Sequence, residues 1–290
     1  MNKIKVAIIG TGNIGSDLLL KVQKSKYLTC GLFTGRNDDS QGLKRAKEMG
    51  VPTSSSSIQA IIDNPESCEI VFDATSAKNH MEHAPILKKL GKFVIDLTPS
   101  KIGQMCIPAI NSDIAFTVSN VNMVTCGGQA CVPLAKVIMD THPDTEYIEL
   151  AGSIASKSAG AGTRANVEEY MQTTKVALEE FSGVKKAKAI LVLNPAEPPV
   201  DMHNTIYATV PNLNIDLLTK KILEKVEEIK KYIPGYRLTL GPILDKGRVV
   251  IMIKVVGSGD FLPPYAGNLD IITCAAVHVA EKYAQHKLIL

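Results

Sequence analysis

Lys5-Val6-Ala7-Ile8-Ile9 runs straight into Gly10-Thr11-Gly12-Asn13-Ile14-Gly15, and an amphipathic stretch from Ser16 to Ser25 follows. Strand, glycine turn and helix in that order form the opening βα unit of a dinucleotide-binding fold. Gly10 permits the tight turn, Gly12 lets a pyrophosphate approach the backbone, and Gly15 lets the helix pack closely on the strand. The helix start presents unpaired N–H groups and a positive dipole end to phosphates. Gly10, Thr11, Gly12, Asn13, Ile14 and Gly15 are therefore the first cofactor candidates. A tight turn with no ligand is the weaker reading, because all three glycines stand in the right context.

The next runs keep the same rhythm. Strand-like segments Leu28 to Thr34, Glu69 to Thr75, Phe93 to Thr98 and Phe116 to Asn120 alternate with helical ones at Gln41 to Gly50 and Ala77 to Leu90. Such alternation predicts a Rossmann-type, doubly wound parallel sheet, with ligands beyond the carboxyl ends of the strands. Asp73 and Asp96 fall there, as crevice residues or as ordinary turn formers. The second strand ends at Gly35-Arg36-Asn37, where an NAD site usually carries an acid. Arg36 suits a 2′-phosphate, so NADP stays open beside NAD. His80 and His83 have no third metal ligand in view and are expected to form a surface pair. No metal site is predicted.

A formal net charge of +3, with cations scattered among acids, gives no basis for a nucleic-acid or membrane partner. No apolar run reaches the roughly 20 residues that span a bilayer. The chain enters its first strand at once, without room for a signal peptide, and is expected in the cytoplasm. Its 6 cysteines lack paired spacing and are by default buried free thiols.

Cys126 stands apart. It lies in Asn122-Met123-Val124-Thr125-Cys126-Gly127-Gly128-Gln129, between a strand and the helical stretch Ala130 to Met139. A thiol near a helix N-terminus is favoured as thiolate, the form that attacks carbonyls. Gly127 and Gly128 are expected to leave room for a substrate and to offer N–H groups to an oxyanion. Beyond about Asp140 longer, alternating runs appear: Tyr147 to Ser156, Ala187 to Asn194, Thr205 to Val210, Tyr236 to Leu240 and Arg248 to Val256. Helical stretches Arg164 to Phe181 and Asn214 to Tyr232 lie between them. This predicts an α+β domain with a mostly antiparallel sheet. The expected division is residues 1–127 with 268–290 for the dinucleotide-binding domain, and 128–267 for a catalytic and dimerisation domain.

Taken together, VAIIGTGNIG (6–15), VFDATSA (71–77), IDLTPS (95–100), NVNMVTCGGQA (120–130), SIASKSAGAGTRAN (153–166), LNPAEPP (193–199), YIPGYRL (232–238) and YAGNLDIIT (265–273) resemble acylating acetaldehyde dehydrogenases. These are the CoA-dependent enzymes that partner a 4-hydroxy-2-oxovalerate aldolase in the catabolism of aromatic hydrocarbons. The resemblance covers nearly the whole chain and implies a semialdehyde-dehydrogenase-like fold. It implies oxidation of a short-chain aldehyde with NAD⁺ and coenzyme A, through an acyl-thioester on Cys126. It also assigns Ser158, Ala159, Gly160, Ala161, Gly162, Thr163, Arg164, Ala165, Asn166, Val167 and Asn268 to the cofactor. A homodimer and a complex with the aldolase follow from the same resemblance.

The chain departs from the family in three places. Met202-His203-Asn204-Thr205 has Asn204 and His203 where members commonly read Met-Arg-Asp-Thr. The segment from Arg237 to Arg248 is shorter, and Arg36 stands at the end of the second strand. Two rival readings stay open: a phosphorylating semialdehyde dehydrogenase of the aspartate-semialdehyde or acetylglutamyl-phosphate type, and a non-catalytic nucleotide-sensing protein.

Overall fold

The computed structural model describes residues 3–160, 163–164 and 166–289. Of the residues assigned to the cofactor, Ala161, Gly162 and Ala165 lie outside the described residues. The chain divides into two compact units, Met1–Met123 with Thr273–Leu290, and Val124–Ile272.

Strands β1 (Ile4–Ile9), β2 (Leu28–Thr34), β3 (Thr53–Ser54), β4 (Ile70–Asp73), β5 (Phe93–Asp96), β6 (Gln104–Met105) and β7 (Asn120–Asn122) build the first unit's sheet. Among the described residues this sheet has 7 strands in the order β3-β2-β1-β4-β5-β7-β6, all paired in parallel. Helices α1 (Asn13–Lys24), α2 (Gln41–Glu48), α3 (Gln59–Asp63), α4 (Ala77–Lys89) and α5 (Pro108–Asn111) connect them. The C-terminal helix, Gly267–Ile289, ends in the same unit. Val6, Ala7, Ile8 and Ile9 are all fully buried, as a central parallel strand covered on both faces requires. Each large aliphatic side chain so buried contributes about 1.5–3 kcal/mol. The strand order reverses between β1 and β4, so the crevice for a ligand opens at the carboxyl ends of those two strands.

One expected strand shifts. Residues 116–120 read as a strand from Phe116, Thr117 and Val118, but Ser112–Phe116 forms a 3₁₀ turn and β7 begins only at Asn120. Thr117 closes the turn, with its N–H and its Oγ1 donating to the Ile114 carbonyl at 3.0 and 3.1 Å. Local side-chain bonding outweighs the β-branched preference here.

The second unit holds α6 (Cys126–Thr141), β8 (Tyr147–Ala155), α7 (Val167–Ser182), β9 (Ala187–Asn194), β10 (Met202–Thr209), α8 (Ile215–Lys230), β11 (Tyr236–Asp245) and β12 (Arg248–Val255). Its sheet runs β11-β12-β10-β8-β9 and is antiparallel except for β8 against β9. Along β8 and β10 buried and half-buried residues alternate, so one face packs under the helices. The segment from Arg237 to Arg248 closes in a tight hairpin. Asp245 pairs with Arg248 across Lys246 and Gly247, which have φ of 48° and 78°. Positive φ at both central residues is the turn that matches strand twist.

The units part at Met123/Val124 and Ile272/Thr273, not at the expected 127/128 and 267/268. Cys126 thus belongs to the second unit. The reason is its helix: α6 starts at Cys126 itself and packs on α7 and α8, so the cysteine cannot stay behind with β7. Among the described residues no helix is long and apolar enough to cross a membrane.

Candidate active site

In the first unit, the glycine turn is shaped by close backbone approaches. Gly10 has φ of 114°, and a Cβ there would stand 2.5 Å from the Ala74 carbonyl oxygen. A Cβ on Gly15 would meet the Gly10 carbonyl oxygen at 1.8 Å, so neither position accepts a side chain. Gly12 is different: among the described residues a Cβ would find nothing within 4 Å. It is the N-cap of α1 and supplies no side-chain hydrogen bond to that helix. The N-cap residue therefore gives the first-turn N–H groups of Asn13, Ile14 and Gly15 no side-chain cap, and among the described residues the space over Gly12 is open. An uncapped helix start beneath open space fits a pyrophosphate. Gly35, at the end of β2, abuts this turn, since its Cβ would come 2.6 Å from Thr11 Cγ2. Arg36 next to it is exposed.

The strand ends beside the turn carry a buried polar network. Asp73 and Asp96 are neighbours across β4 and β5, and both are completely buried. His80 and His83 were expected on the surface, but the structure buries both under α4. Their Nδ1 atoms lie 2.9 and 2.8 Å from the same oxygen, Asp73 Oδ2. Three- and four-residue spacing shows which residues share a helix face, not whether that face is wet. Burial is the largest effect on both carboxyls. At Asp73 the hydrogen bonds from His80, His83 and Thr75 outweigh it and hold the acid well below the usual carboxylate range. At Asp96 burial prevails and pushes the acid up.

The second unit presents the thiol. Val124 adopts φ of 61°, costly for a β-branched residue, by about 1–3 kcal/mol. Thr125 then turns extended and caps α6, its Oγ1 accepting from Gly128 N–H at 2.9 Å. Cys126 is the first helical residue and is half-buried. Its Sγ lies 3.2 Å from the Tyr170 hydroxyl, which also accepts from Gly127 N–H at 2.8 Å. Tyr170 comes from α7, and Thr174 one turn on meets Thr125 Oγ1 at 2.7 Å.

These contacts correct two expectations. Gly127 and Gly128 make room for protein atoms: a Cβ would come 2.5 Å from Tyr170 Oη at Gly127 and 2.9 Å from Val124 Cγ1 at Gly128. Their N–H groups are engaged by Tyr170 and Thr125, so they are not free oxyanion donors. The thiol is not lowered in this state either. Burial pushes Cys126 up, against smaller downward effects from Tyr170 and the Gly127 N–H. Tyr170 is itself pushed well above its ordinary value by burial and by Cys126, so it keeps its proton and can donate to a thiolate. Nothing in the sequence pointed to Tyr170, because a tyrosine on an amphipathic helix is ordinary. Cys131, a turn further in, is fully buried packing.

The segment that leads into α7 lies in the same unit. Ser158 is buried, with Oγ donating to the Ala155 carbonyl at 2.9 Å, and Ala159 is buried beside it. Arg164 holds this turn from within, donating to the carbonyls of Ala159 and Ser156 at 3.0 and 2.6 Å. Gly160 is exposed, Thr163 and Val167 are half-buried, and Asn166 precedes α7, its carbonyl accepting from Tyr170 N–H at 2.9 Å. Asn268 reaches the Ser158 carbonyl with Nδ2 at 3.5 Å, while its Oδ1 is buried with no partner among the described residues. An orphaned buried acceptor of this kind fits a ligand that brings a donor. The structure thus gathers Cys126, Tyr170, residues 158–160, 163, 164, 166 and 167, and Asn268 in one unit, and keeps residues 10–15 in the other. Asn204 is buried on β10, and neither amide atom has a partner among the described residues. His203 points to the other face and approaches the Asp201 carbonyl with Nδ1 at 3.0 Å.

Comparison with known proteins agrees with both units. Residues 5–115 match the semialdehyde dehydrogenase NAD-binding domain, and residues 126–263 match the dimerisation domain of prokaryotic acetaldehyde dehydrogenase. The acetaldehyde dehydrogenase of Pectobacterium atrosepticum is 56% identical over 281 residues, covering 96% of this chain and 95% of that protein. Those of Spirochaeta aurantia and Geobacillus stearothermophilus are 54% and 49% identical and cover 97% and 99% of this chain, and 95% and 98% of their own length. Among solved structures, an aspartate semialdehyde dehydrogenase II from Vibrio cholerae superimposes with a TM-score of 0.64 at 14% identity, covering 97% of this chain and 98% of its own. A probable aspartate-semialdehyde dehydrogenase from Pseudomonas aeruginosa gives 0.69 at 12%, covering 99% and 100%. At such identities the likeness is one of fold. Identity near one half along the whole length is a stronger tie, and this chain belongs to the acetaldehyde dehydrogenase family of NAD-dependent oxidoreductases.

Proposed function

We propose that the chain oxidises acetaldehyde, or another short aldehyde, to the acyl-CoA with NAD⁺ and coenzyme A, with Cys126 as the nucleophile. The observation that carries this reading is the Cys126 thiol at the first residue of α6, 3.2 Å from a protonated Tyr170 hydroxyl. Loss of the thiol proton leaves a thiolate that the helix start and the Tyr170 O–H stabilise. The thiolate adds to the aldehyde carbon, and the C–S bond forms as the carbonyl electron pair moves to oxygen. When that pair returns, the C–H bond breaks and hydride departs, leaving an acyl-thioester on Cys126. The thiol of coenzyme A gives its proton to solvent and its sulfur attacks the thioester carbon; the C–S bond to Cys126 breaks and Cys126 leaves as thiolate, ready for the next aldehyde. NAD⁺, when bound, supplies the hydride acceptor.

Residues 10–15 would hold the pyrophosphate, through the N–H groups of the uncapped α1 start. Ser158 to Val167 and Asn268 are the remaining cofactor candidates, and the unpartnered Asn268 Oδ1 supports that assignment. Arg36, exposed beside Gly35, would also admit NADP. NADP⁺-dependent turnover that Arg36→Ala selectively removes would support that point. The half-buried face of β8 and β10 supports a homodimer across the second unit, and an aldolase partner would take the aldehyde from solution out of the reaction path. Six free thiols support a reducing, cytoplasmic setting.

Supplying acetaldehyde and NAD⁺ with either coenzyme A or phosphate tests the reading. NADH formation that requires coenzyme A is expected. NADH formation with phosphate alone would replace it with the phosphorylating alternative.

A further inference from the structure

The buried histidines of α4 have no part in the chemistry above, yet their contacts lead to the glycine turn. A carboxylate only accepts, so His80 and His83 must each carry a proton on Nδ1 to bond Asp73 Oδ2. The other oxygen, Oδ1, accepts from the N–H and hydroxyl of Thr75 at 3.1 and 2.5 Å. One buried carboxylate thereby ties the end of β4, the turn at residues 74–76 and the first two turns of α4 into a single piece. That turn lies directly on the cofactor loop: Ala74 N–H donates to the Ile9 carbonyl at 2.8 Å, and the Ala74 carbonyl is what a Cβ on Gly10 would strike. The contact falls where the strand order reverses, between β1 and β4. From behind, His80 Nε2 accepts from Asn120 Nδ2 at 3.0 Å and stands 3.6 Å from Asp96 Oδ2.

We propose that His80 and His83 are positioning residues for the dinucleotide: through Asp73 they hold the 74–76 turn against Gly10 and so set the shape of the phosphate-binding loop. The proposal rests on the reading that residues 10–15 bind NAD. A buried histidine pair serving packing alone predicts a different response to substitution, because packing depends on volume and positioning depends on the Nδ1 donor.

Titrating the full chain with NADH, followed by its fluorescence, separates the two. Replacing His80 with Leu should raise Kd about tenfold, the worth of one hydrogen bond to a charged group. The alkylation rate of Cys126 by iodoacetamide should stay unchanged in the same variant. His80→Asn keeps an N–H donor near the Nδ1 position and should bind within about twofold of the parent chain. Equal loss in His80→Leu and His80→Asn, or no loss in His80→Leu, would overturn the proposal. Where His80→Leu fails to fold, Thr75→Val takes its place, at a half-buried position on the same carboxylate. It should weaken NADH about threefold, in line with one neutral hydrogen bond; unchanged binding would again overturn the proposal. If the parent chain itself does not bind NADH, the assignment of residues 10–15 falls and the positioning role with it. Parent-like binding in His80→Leu or Thr75→Val removes the positioning role alone.

Discussion

Helix α1 begins behind Gly12, which gives its first turn no side-chain hydrogen bond, whereas α6 begins behind Thr125, whose hydroxyl accepts from Gly128 at 2.9 Å. Both helix starts carry the same backbone dipole and the same unpaired N–H groups. In α1 those groups stay uncapped beneath open space. In α6 the protein uses them itself: Thr125 takes one, Tyr170 takes another, and the charge-favouring end of the helix acts on a covalently attached thiol. A helix start can therefore recruit an external anion or favour an internal one, and the cap decides which. The cost to the thiol is visible too, because the protein atoms that complete α6 also bury Cys126 and push it up.

The comparison predicts that the two sites fail independently. Cys126→Ser should lower coenzyme-A-dependent aldehyde oxidation by about 10³-fold or more, as removal of a nucleophile does. NADH titration of that variant should match the parent chain; a parallel loss of NADH affinity would break the separation. Gly12→Asp tests the other helix. Its extended backbone and open surroundings accept a side chain, and Asp is a strong N-cap. The substitution should close α1 as Thr125 closes α6. We expect unchanged or raised thermal stability with NADH affinity lowered roughly 30-fold or more, because a carboxylate now occupies the anion's place.

Tyr170→Phe sharpens the comparison from the thiol side. Without the hydroxyl, Cys126 loses a donor and Gly127 N–H loses its acceptor. Iodoacetamide alkylation at neutral pH should slow by about tenfold, the worth of one charge-assisted hydrogen bond. The sign of the pH dependence follows from burial. Alkylation of the parent chain should keep rising past the ordinary thiol value of 9.0, since the folded thiol is pushed above it. In Tyr170→Phe the rise should move to still higher pH, because a downward influence has been removed. A profile that moves down would show that Tyr170 does not act on the thiolate. Thr125→Ala is the mildest change. It should lower stability by about 1 kcal/mol through loss of the cap, read from denaturant unfolding.

Local signals carried much of the fold. The glycine turn, the alternation of strands and helices, and the switch to alternating runs after Asp140 follow from short-range chemistry, and the observed sheets agree with them. Errors arose where one segment's environment depends on another. His80 and His83 carry no mark of burial, because Asp73, the residue that satisfies them, comes from a neighbouring strand. Thr117 and Val118 had strand-forming side chains, yet a hydroxyl bonding its own turn delayed β7 by several residues.

The same division governs the site. That Gly12 brings no cap of its own and that Cys126 lies close to a helix start is determined by residue type and local pattern alone: glycine has no side chain to cap with, and a strand-to-helix turn must leave N–H groups exposed. Whether those groups remain available is settled at longer range. Tyr170 lies 44 positions from Cys126 in the chain and meets it only because α7 packs on α6. Burial of the thiol, the engagement of the Gly127 and Gly128 N–H groups and the grip of two histidines on one carboxylate are all tertiary. Each depends on which atoms approach within hydrogen-bond distance, and no spacing within one segment can fix that.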